Sequence, residues 1–315
     1  MFDSVTLSAG ILAFTLLMYV MLDGTDLGVG MLLAFFPDIE DRHKLIATIL
    51  PVWDANETWL VLLGGGMLAL FPAAYGTLLT SFYPWIIIML LALIFRAVGI
   101  EYRQDASLKV KLLLDKVCIA ASACVAFIQG LLAGSLVEGK PLESVLDVFS
   151  PFSLVFGLAT IVGYLLLGCC WVHWRTEGKP AQRAIGLAWA FLTLTVILVT
   201  ALLVLQQQRL PSLLALPGAK LMLAAGTLFA LLVPVALRSQ VRLLPLATSL
   251  LMVTSLIALT LRSVYPWLIP NVLSLNDAAA PATTRAFVLG GTALVIPLTL
   301  LYNSWAFWIL RGKVK

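Results

Sequence analysis

The sequence predicts an all-α integral membrane protein, a polytopic bundle of about nine transmembrane helices that forms a single domain over 1–315. Of its 315 residues, 61% are hydrophobic and only 11% are charged, whereas soluble domains are about 45–50% apolar and about 25% charged. The apolar residues form long continuous runs instead of the alternation that is typical of a barrel strand. Only helices and closed barrels satisfy their backbone in lipid, so these runs are predicted to be helices.

This composition excludes a cytosolic enzyme, a secreted disulfide scaffold and a disordered chain. The net charge of +4 does not indicate a nucleic-acid partner, because the Lys and Arg residues lie in short loops. The first four residues lack the basic region of a cleaved signal peptide, so the first apolar run is predicted to be a retained span.

The predicted spans are the apolar runs that end at charges or at Pro and Gly. They cover 5–36, 50–71, 77–101, 115–137, 151–174, 184–206, 216–237, 243–261 and 286–310. The first run is longer than the about 20 residues that a span needs, so it is expected to tilt or to project from the membrane. Pro51 suits the first turn of the second helix, which leaves 38–49 as an interfacial segment.

One loop, 262–285, is longer than the others and contains Tyr265, Pro266, Trp267 and Pro270. Its Trp and Pro residues indicate a segment that lies on the lipid headgroups, with docking of a partner as the alternative.

The distribution of Lys and Arg predicts the orientation. The loops after helices one, three, five and seven and the C-terminus hold 14 of the 20: Arg42, Lys44, Arg103, Lys109, Lys111, Lys116, Arg175, Lys179, Arg183, Arg238, Arg242, Arg311, Lys313 and Lys315. The opposite side holds five: Lys140, Arg209, Lys220, Arg262 and Arg285. This bias predicts that the N-terminus is outside and the C-terminus is cytoplasmic.

The residue types that ligate haem or metals are scarce. The four cysteines lie in apolar runs, show no spacing for zinc or an iron–sulfur cluster, and are interpreted as core packing: Cys118, Cys124, Cys169 and Cys170. His43 lies in a basic loop, and His173 lies between Trp171 and Trp174 at an inner helix end, so both are interpreted as interfacial. The sequence therefore predicts no catalytic, cofactor-binding or metal site in this chain alone.

Charged side chains within the predicted spans are concentrated in the first third of the chain. Asp23 and Asp26 are three residues apart in helix one and share a face, among glycines that allow close helix approach. Helix two repeats this spacing with Asp54 and Glu57. Each charge within a span is unfavourable by roughly 2.5–3.5 kcal/mol and indicates function by default.

Further polar residues extend this set: Asn56 in helix two, with Arg96 and Glu101 in helix three. At about 1.5 Å per residue, all of them are predicted to lie in the inner half of the membrane. Burial favours the neutral form of a carboxyl group, which suits a proton relay. Two interpretations stay open: a cluster that only locks the first three helices together, and a proton or ion path from the cytoplasm. The glycines 64–66 are interpreted as close helix packing.

Several segments between about 19 and 103 occur in the order and spacing of a known family. They are Leu22–Gly30, Phe36–Pro37, Glu40–Arg42, Pro51–Val61, Gly64–Gly66, Phe71–Tyr75, Leu93–Arg96 and Glu101–Arg103. These segments resemble subunit II of the cytochrome bd-type quinol oxidases, including the cyanide-insensitive branch. Ala55 departs from the Gly that many relatives carry there. The helices of about 5–103 carry these motifs, and those of about 115–310 are less distinctive, apart from a closing Tyr302-Asn303.

The resemblance implies a subunit without haem that pairs, in the bacterial cytoplasmic membrane, with a haem-bearing subunit I. That partner would hold two b-type haems and a d-type haem, or a third b-type haem, and the complex would oxidise quinol and reduce O2 to water. Small accessory subunits, lipids and quinone are further expected partners.

The resemblance also implies that this subunit helps to build the cytoplasmic proton route. Asp23, Asp26, Asp54 and Glu57 would be relay acids, Asn56 an orienting group, and Arg96 a counter-charge, with Glu101 at the inner end of helix three. The alternatives are a self-sufficient ion-coupled secondary transporter, although the paired broken helices of such proteins have no counterpart here, and an assembly scaffold with a purely structural cluster.

Overall fold

The computed structural model describes residues 3–139, 144–309 and 312, and these residues are almost entirely helical. Its long helices are α1 (Ser4–Leu32), α3 (Trp53–Leu70), α4 (Pro72–Glu101), α5 (Leu108–Glu138), α6 (Pro151–Arg175), α7 (Lys179–Leu205), α9 (Ala219–Leu237), α10 (Leu244–Val264) and α12 (Ala282–Ile309). Short helices connect them: α2 (Ile39–Ile49), α8 (Leu210–Ala215) and α11 (Leu275–Ala278). The all-α membrane fold is confirmed.

Eight of the long helices of the described residues are long and apolar enough to cross a membrane. The remaining one, α3, has 18 residues and carries Asp54, Asn56 and Glu57 in its first turns, so a ninth crossing stays a prediction. The expectation for Pro51 is wrong. That residue lies in the turn before α3, which begins at Trp53 after the N-cap residue Val52.

The segment predicted to lie at the interface contains helix α2. Asp38 caps this helix by accepting a hydrogen bond from the backbone N–H of Glu40 at 3.0 Å. The apolar face of α2 turns inward, and Leu45, Ile46 and Ile49 are buried in the main core. α2 is thus anchored by its apolar face beside the end of α1, close to the charged residues described below.

Helix α1 runs through the middle of the bundle and meets α6 at a crossing of small residues. A Cβ atom at Gly28 would lie 1.9 Å from the carbonyl oxygen of Tyr164, and one at Gly168 would lie 2.6 Å from the carbonyl carbon of Gly28. Gly24 leaves room for the ring of Tyr164 in the same way, with 2.5 Å to Cε1. Close backbone approach at small residues is a common mode of helix association in membranes, as predicted for this motif.

Within this chain, the expectation of close packing at the glycines 64–66 is met only at Gly66. A Cβ atom at Gly66 would lie 2.9 Å from the side chain of Leu12 on α1, whereas one at Gly64 or Gly65 would meet no described atom within 4 Å. The reason is the rotation of α3, which turns Gly64 and Gly65 to the outside of the bundle.

The long loop 262–285 contains three short elements. The strands β1 (Trp267–Ile269) and β2 (Leu273–Ser274) pair antiparallel, and α11 follows. Leu275 and Ala278 of α11 join a small core with residues of α1 and α3. Arg285 donates a hydrogen bond to Ser4 Oγ at 3.0 Å, so this segment covers the N-terminal end of α1.

The loops that carry most of the basic residues lie together at the opposite end of the bundle. Arg183 lies 5.6 Å from the centroid of the Phe36 ring, and Arg242 donates to the carbonyl oxygen of Thr176 at 3.0 Å. We refer to this as the basic end. That it faces the cytoplasm stays a prediction, and four residues of the charge count lie outside the described residues: Lys140, Arg311, Lys313 and Lys315.

Candidate functional site

Three helices bring their charged residues together around Arg96. Its guanidinium, fully buried on α4, donates from one terminal nitrogen to Asp23 Oδ1 at 2.6 Å and from the other to Glu57 Oε2 at 3.0 Å. Asp23 of α1 is also fully buried, whereas the side chain of Glu57 on α3 is 24% exposed. A guanidinium with two terminal donors is suited to such a double contact.

A second pair lies beside this one on the same two helices. Asn56 Nδ2 of α3 donates to Asp26 Oδ2 of α1 at 2.7 Å, and both side chains are buried. Among the described residues, no cation lies within ion-pair distance of Asp26, whose nearest polar partner is therefore a neutral amide. The five residues Asp23, Asp26, Asn56, Glu57 and Arg96 form what we call the interior cluster.

Helical spacing explains how these side chains meet. Residues three apart on a helix lie on the same face, so Asp23 and Asp26 project from the same side of α1. The adjacent residues of α3 have different partners: Asn56 donates to Asp26, and Glu57 accepts from Arg96 of α4. The N-terminus of a helix favours negative charge, and Glu57 lies in the second turn of α3. The bundle therefore brings together five of the seven residues that the sequence analysis grouped.

Two further candidates lie apart from the interior cluster. Asp54 is exposed in the first turn of α3, one turn before Glu57. Glu101 is exposed at the last residue of α4, also at the basic end. Neither of them joins the ion pairs of Arg96.

Sequence reasoning missed a chain of polar side chains on the far side of Asp23. Tyr19 lies one turn before Asp23 on α1, and its hydroxyl oxygen accepts a hydrogen bond from Gln129 Nε2 of α5. The amide oxygen of Gln129 accepts in turn from the hydroxyl of Tyr164 on α6, at 3.0 Å. The available signals were the spacing of four between Tyr19 and Asp23 and a glutamine within an apolar helix.

Sequence reasoning also missed a second ionic cluster at the basic end, formed by Arg42, Arg103 and Asp115. Asp115 of α5 is fully buried and accepts from Arg103 Nε, while Arg42 of α2 approaches its other oxygen at 3.1 Å. Arg103 is buried and Arg42 is 18% exposed. We refer to these three residues as the end cluster. Asp115 was hard to identify because it stands among four basic residues at a helix start.

The residues present do not fit a haem or a metal ion. Among the described residues, no group of three or more His, Cys, Asp or Glu side chains is placed to hold a metal. His43 lies on α2, and His173 lies in the last turn of α6 with Nδ1 at 3.3 Å from the carbonyl oxygen of Ala181. Both histidines are therefore at the basic end and not in the interior, where a haem between facing helices would need them. The cysteines are unbonded, and three of them are buried.

The charge balance of the interior cluster determines what it can do chemically. The cluster holds three carboxyl groups and one guanidinium, which contacts two of them, Asp23 and Glu57. Neighbouring buried acids disfavour each other's charged form. The three carboxyl groups therefore differ in their partners, and one of them, Glu57, is partly accessible. This arrangement is suited to the exchange of protons. These features define a polytopic helical membrane protein with a cluster of buried ionisable groups.

Comparison with known proteins identifies the family. The chain belongs to the family of cytochrome bd terminal oxidase subunit II, whose model matches residues 5–310. It is therefore a subunit of an oxidoreductase complex and a multi-pass protein of the bacterial cytoplasmic membrane.

The individual relatives agree with this assignment. The chain is 23% identical to the cytochrome bd-I ubiquinol oxidase subunit 2 of Escherichia coli K12, over 94% of this chain and 91% of that protein. It is 34% identical to the cytochrome bd ubiquinol oxidase subunit 2 of Bacillus subtilis 168, over 53% and 52%. The fold matches a chain of the bd oxidase from Geobacillus thermodenitrificans with a TM-score of 0.80 and 17% identity, over 96% of this chain and 99% of that chain.

Proposed function

We propose that this chain pairs with a haem-bearing subunit I of a quinol:O2 oxidoreductase and contributes a cytoplasmic proton path for the reduction of O2 to water. The observation that carries this proposal is the interior cluster, with its three carboxyl groups around one guanidinium. The b- and d-type haems, or b-type haems alone, belong to the partner. A quinol is the electron donor, as the names of the relatives from E. coli and B. subtilis state for those proteins.

The excess of acid over base supports a role in proton transfer. An isolated charge in a low-dielectric interior is strongly unfavourable, so a buried acid with only an amide partner, such as Asp26, is most stable with its proton. Asp23 and Glu57 share the positive charge of Arg96 nearby. Gain or loss of a proton at one acid thus changes the balance for the others, as in coupled titrations.

Access from the basic end supports the same role. Asp54 is exposed in the first turn of α3, Glu57 follows one turn later with 24% of its side chain accessible, and Asp26 is buried beside Asn56. These acids therefore lie at increasing burial from the end of α3 inward. Glu101 at the end of α4 adds a surface acid at the mouth of this path.

The outer face of α3 supports pairing with another membrane subunit. Asp54, Thr58, Val61, Gly65 and Leu68 are all exposed and follow one another at intervals of four and three residues, the spacing of a helix seam. A carboxylate within a membrane helix faces protein or water, not lipid, and small residues favour helix contacts. Subunit I is the partner that we propose for this face.

Other faces remain available to lipid, quinone and small accessory subunits. α12 contributes little to the core, and the side chain of Phe287 is 85% exposed. Such apolar surface on a membrane helix is suited to lipid or to a further apolar partner.

The test replaces the two acids of the interior end of the path in the assembled complex, which is purified through a tag on this chain. Asp26→Asn and Glu57→Gln should slow steady-state O2 consumption about tenfold or more, equal to about 1.4 kcal/mol in activation free energy, with the haem spectrum unchanged. The exposed acids Asp105 and Glu40 provide matched controls: Asp105→Asn and Glu40→Gln should leave turnover unchanged.

Two results would count against the proposal. Unchanged turnover per haem in both Asp26→Asn and Glu57→Gln would refute the proton path, and a fall in yield without a fall in turnover would assign the cluster to assembly. Purification of the chain without a haem-bearing partner would refute the pairing.

A further inference from the structure

We infer that the two aspartates of α1 have different roles: Asp23 is a fixed anionic counter-charge for Arg96, and Asp26 is the acid that gains and loses the proton. The observations that carry this inference are the contact of Asp23 with the guanidinium of Arg96 and the contact of Asp26 with the amide of Asn56. The inference rests on the proposed function and assigns its roles to individual residues.

The partners of the two aspartates differ in charge. Asp23 meets Arg96 at 2.6 Å with both side chains fully buried, and hydrogen bonds between two charged groups are about twice as strong as neutral ones. Asp26 meets only the amide of Asn56, at 2.7 Å. A buried carboxylate opposite a guanidinium is stabilised as an anion, whereas one opposite an amide keeps most of its desolvation penalty.

A polar chain on α5 and α6 ends at the hydroxyl group of Tyr19, one turn before Asp23 on α1. Tyr164 donates to Gln129, and Gln129 donates to the hydroxyl oxygen of Tyr19. Both hydrogen bonds run in the same direction, and such alignment strengthens each of them.

This arrangement makes Tyr19 a positioning residue. Gln129 both donates and accepts through separate atoms of one amide, so it orients Tyr19 without passing a proton onward. The ring of Tyr164 packs directly against Gly24, so that a Cβ atom at position 24 would have no room. Asp23 accepts from Arg96 of α4 through Oδ1, and its Oδ2 atom has no hydrogen-bond partner among the described residues. Its nearest acids are Glu57 and Asp26.

The roles predict a specific pattern of loss and rescue. In Asp23→Asn, Arg96 keeps Glu57 as its only close anion and holds it more firmly, so turnover should fall about tenfold. In the double variant with Asp23→Asn and Arg96→Gln, no excess charge is left, and turnover should recover to within about threefold of wild type. In the double variant with Asp26→Asn and Arg96→Gln, turnover should stay as low as in Asp26→Asn, because the proton carrier is missing.

The measurement is O2 consumption per haem of the purified complex, with haem content as the check on assembly. Equal loss in Asp23→Asn and in its double variant would overturn the inference and make Asp23 a carrier, while the path itself would stand if Asp26→Asn is slow. Wild-type turnover in all of these variants would refute the proposed function instead.

An infrared experiment tests the same roles without removing Asp23. In redox difference spectra of the complex, the C=O band of a neutral carboxyl group should disappear in Asp26→Asn and persist unchanged in Tyr19→Phe. Loss or displacement of that band in Tyr19→Phe would show that Asp23 carries the proton and would overturn the inference, even if a double variant failed to assemble.

Discussion

Two buried ionic clusters on neighbouring elements of this chain have opposite charge balance. The interior cluster has three carboxyl groups for one guanidinium, Arg96, whereas the end cluster has two guanidinium groups for one carboxylate, Asp115. An acid that is surrounded by an excess of cations has no reason to take up a proton. An acid in a set that is short of cations cannot always be charged.

The difference teaches which buried charges are suited to transfer and which to architecture. The end cluster connects α2, the α4–α5 turn and the start of α5, and Arg42 also donates to the carbonyl oxygen of Phe36 at 2.5 Å. Its one carboxylate contacts both guanidinium groups and joins three segments of the chain, as a structural clamp requires. The interior cluster connects α1, α3 and α4 just as firmly, but its surplus of acid leaves protons to be exchanged. Burial alone does not separate the two roles.

The largest expected effect on stability is that of Asp115→Asn. This variant leaves Arg103 buried without its anion, and breaking a buried pair in this way destabilises by about 3–5 kcal/mol. We expect a lower thermal denaturation midpoint and less assembled complex, with O2 consumption per haem close to wild type. The exposed Asp105, in the α4–α5 turn that also contains Arg103, provides the control. Asp105→Asn makes the same chemical change at a position exposed to water.

A different outcome for Asp115→Asn would break the comparison. Normal assembly combined with slow turnover would place Asp115 in the proton path, and the charge balance of a cluster would then fail as a guide to its role.

The sequence predicted most of the bundle because a long apolar run in lipid has few alternatives to a helix. Each of the nine predicted runs overlaps one long helix, although α4, α5, α7 and α12 begin four to seven residues before the predicted runs, and 38–49 contains α2. The interior cluster was predictable for the same reason: each of its charges stands out in an apolar helix. The pairing of these charges could not be predicted, because it depends on how α1, α3 and α4 are rotated. Asp23 pairs with Arg96, and Asp26 pairs with Asn56.

The polar residues that the sequence analysis missed belong to residue types that do not stand out in the sequence. Tyr19, Gln129 and Tyr164 each occur singly in an apolar helix, where a tyrosine or glutamine is unremarkable until the helices are packed. Asp115 was obscured by its basic neighbours. The expectation failed at Gly64 and Gly65 because a motif of small residues indicates close packing, but not which of its members faces a helix of the same chain.

A smaller effect is expected for Arg42→Met, which sharpens the comparison within the end cluster. The loss of Arg42 leaves Arg103 and Asp115 as a balanced pair, so only a partly exposed contact at 3.1 Å and the bond to Phe36 disappear. We expect a destabilisation of about 1–2 kcal/mol, measured as the denaturation midpoint. Lys109→Met, which removes an exposed positive charge from the start of α5, is the control. A loss as large as that of Asp115→Asn would show that Arg42, and not Arg103, is the essential partner.

The smallest expected effect is that of Glu101→Gln. This variant tests whether protons from water reach the interior cluster through Glu101. Glu101 is exposed at the end of α4, and a proton can reach Glu57 through water or Asp54 when this carboxylate is missing. Exposed substitutions change free energies by about 0.5 kcal/mol at most, so O2 consumption should slow by no more than about twofold. Glu40→Gln on α2 is the matched control. A loss comparable to that of Asp26→Asn would mean that protons enter along α4 through Glu101 itself, and the accessible acids of α3 would then lie beside the path instead of on it.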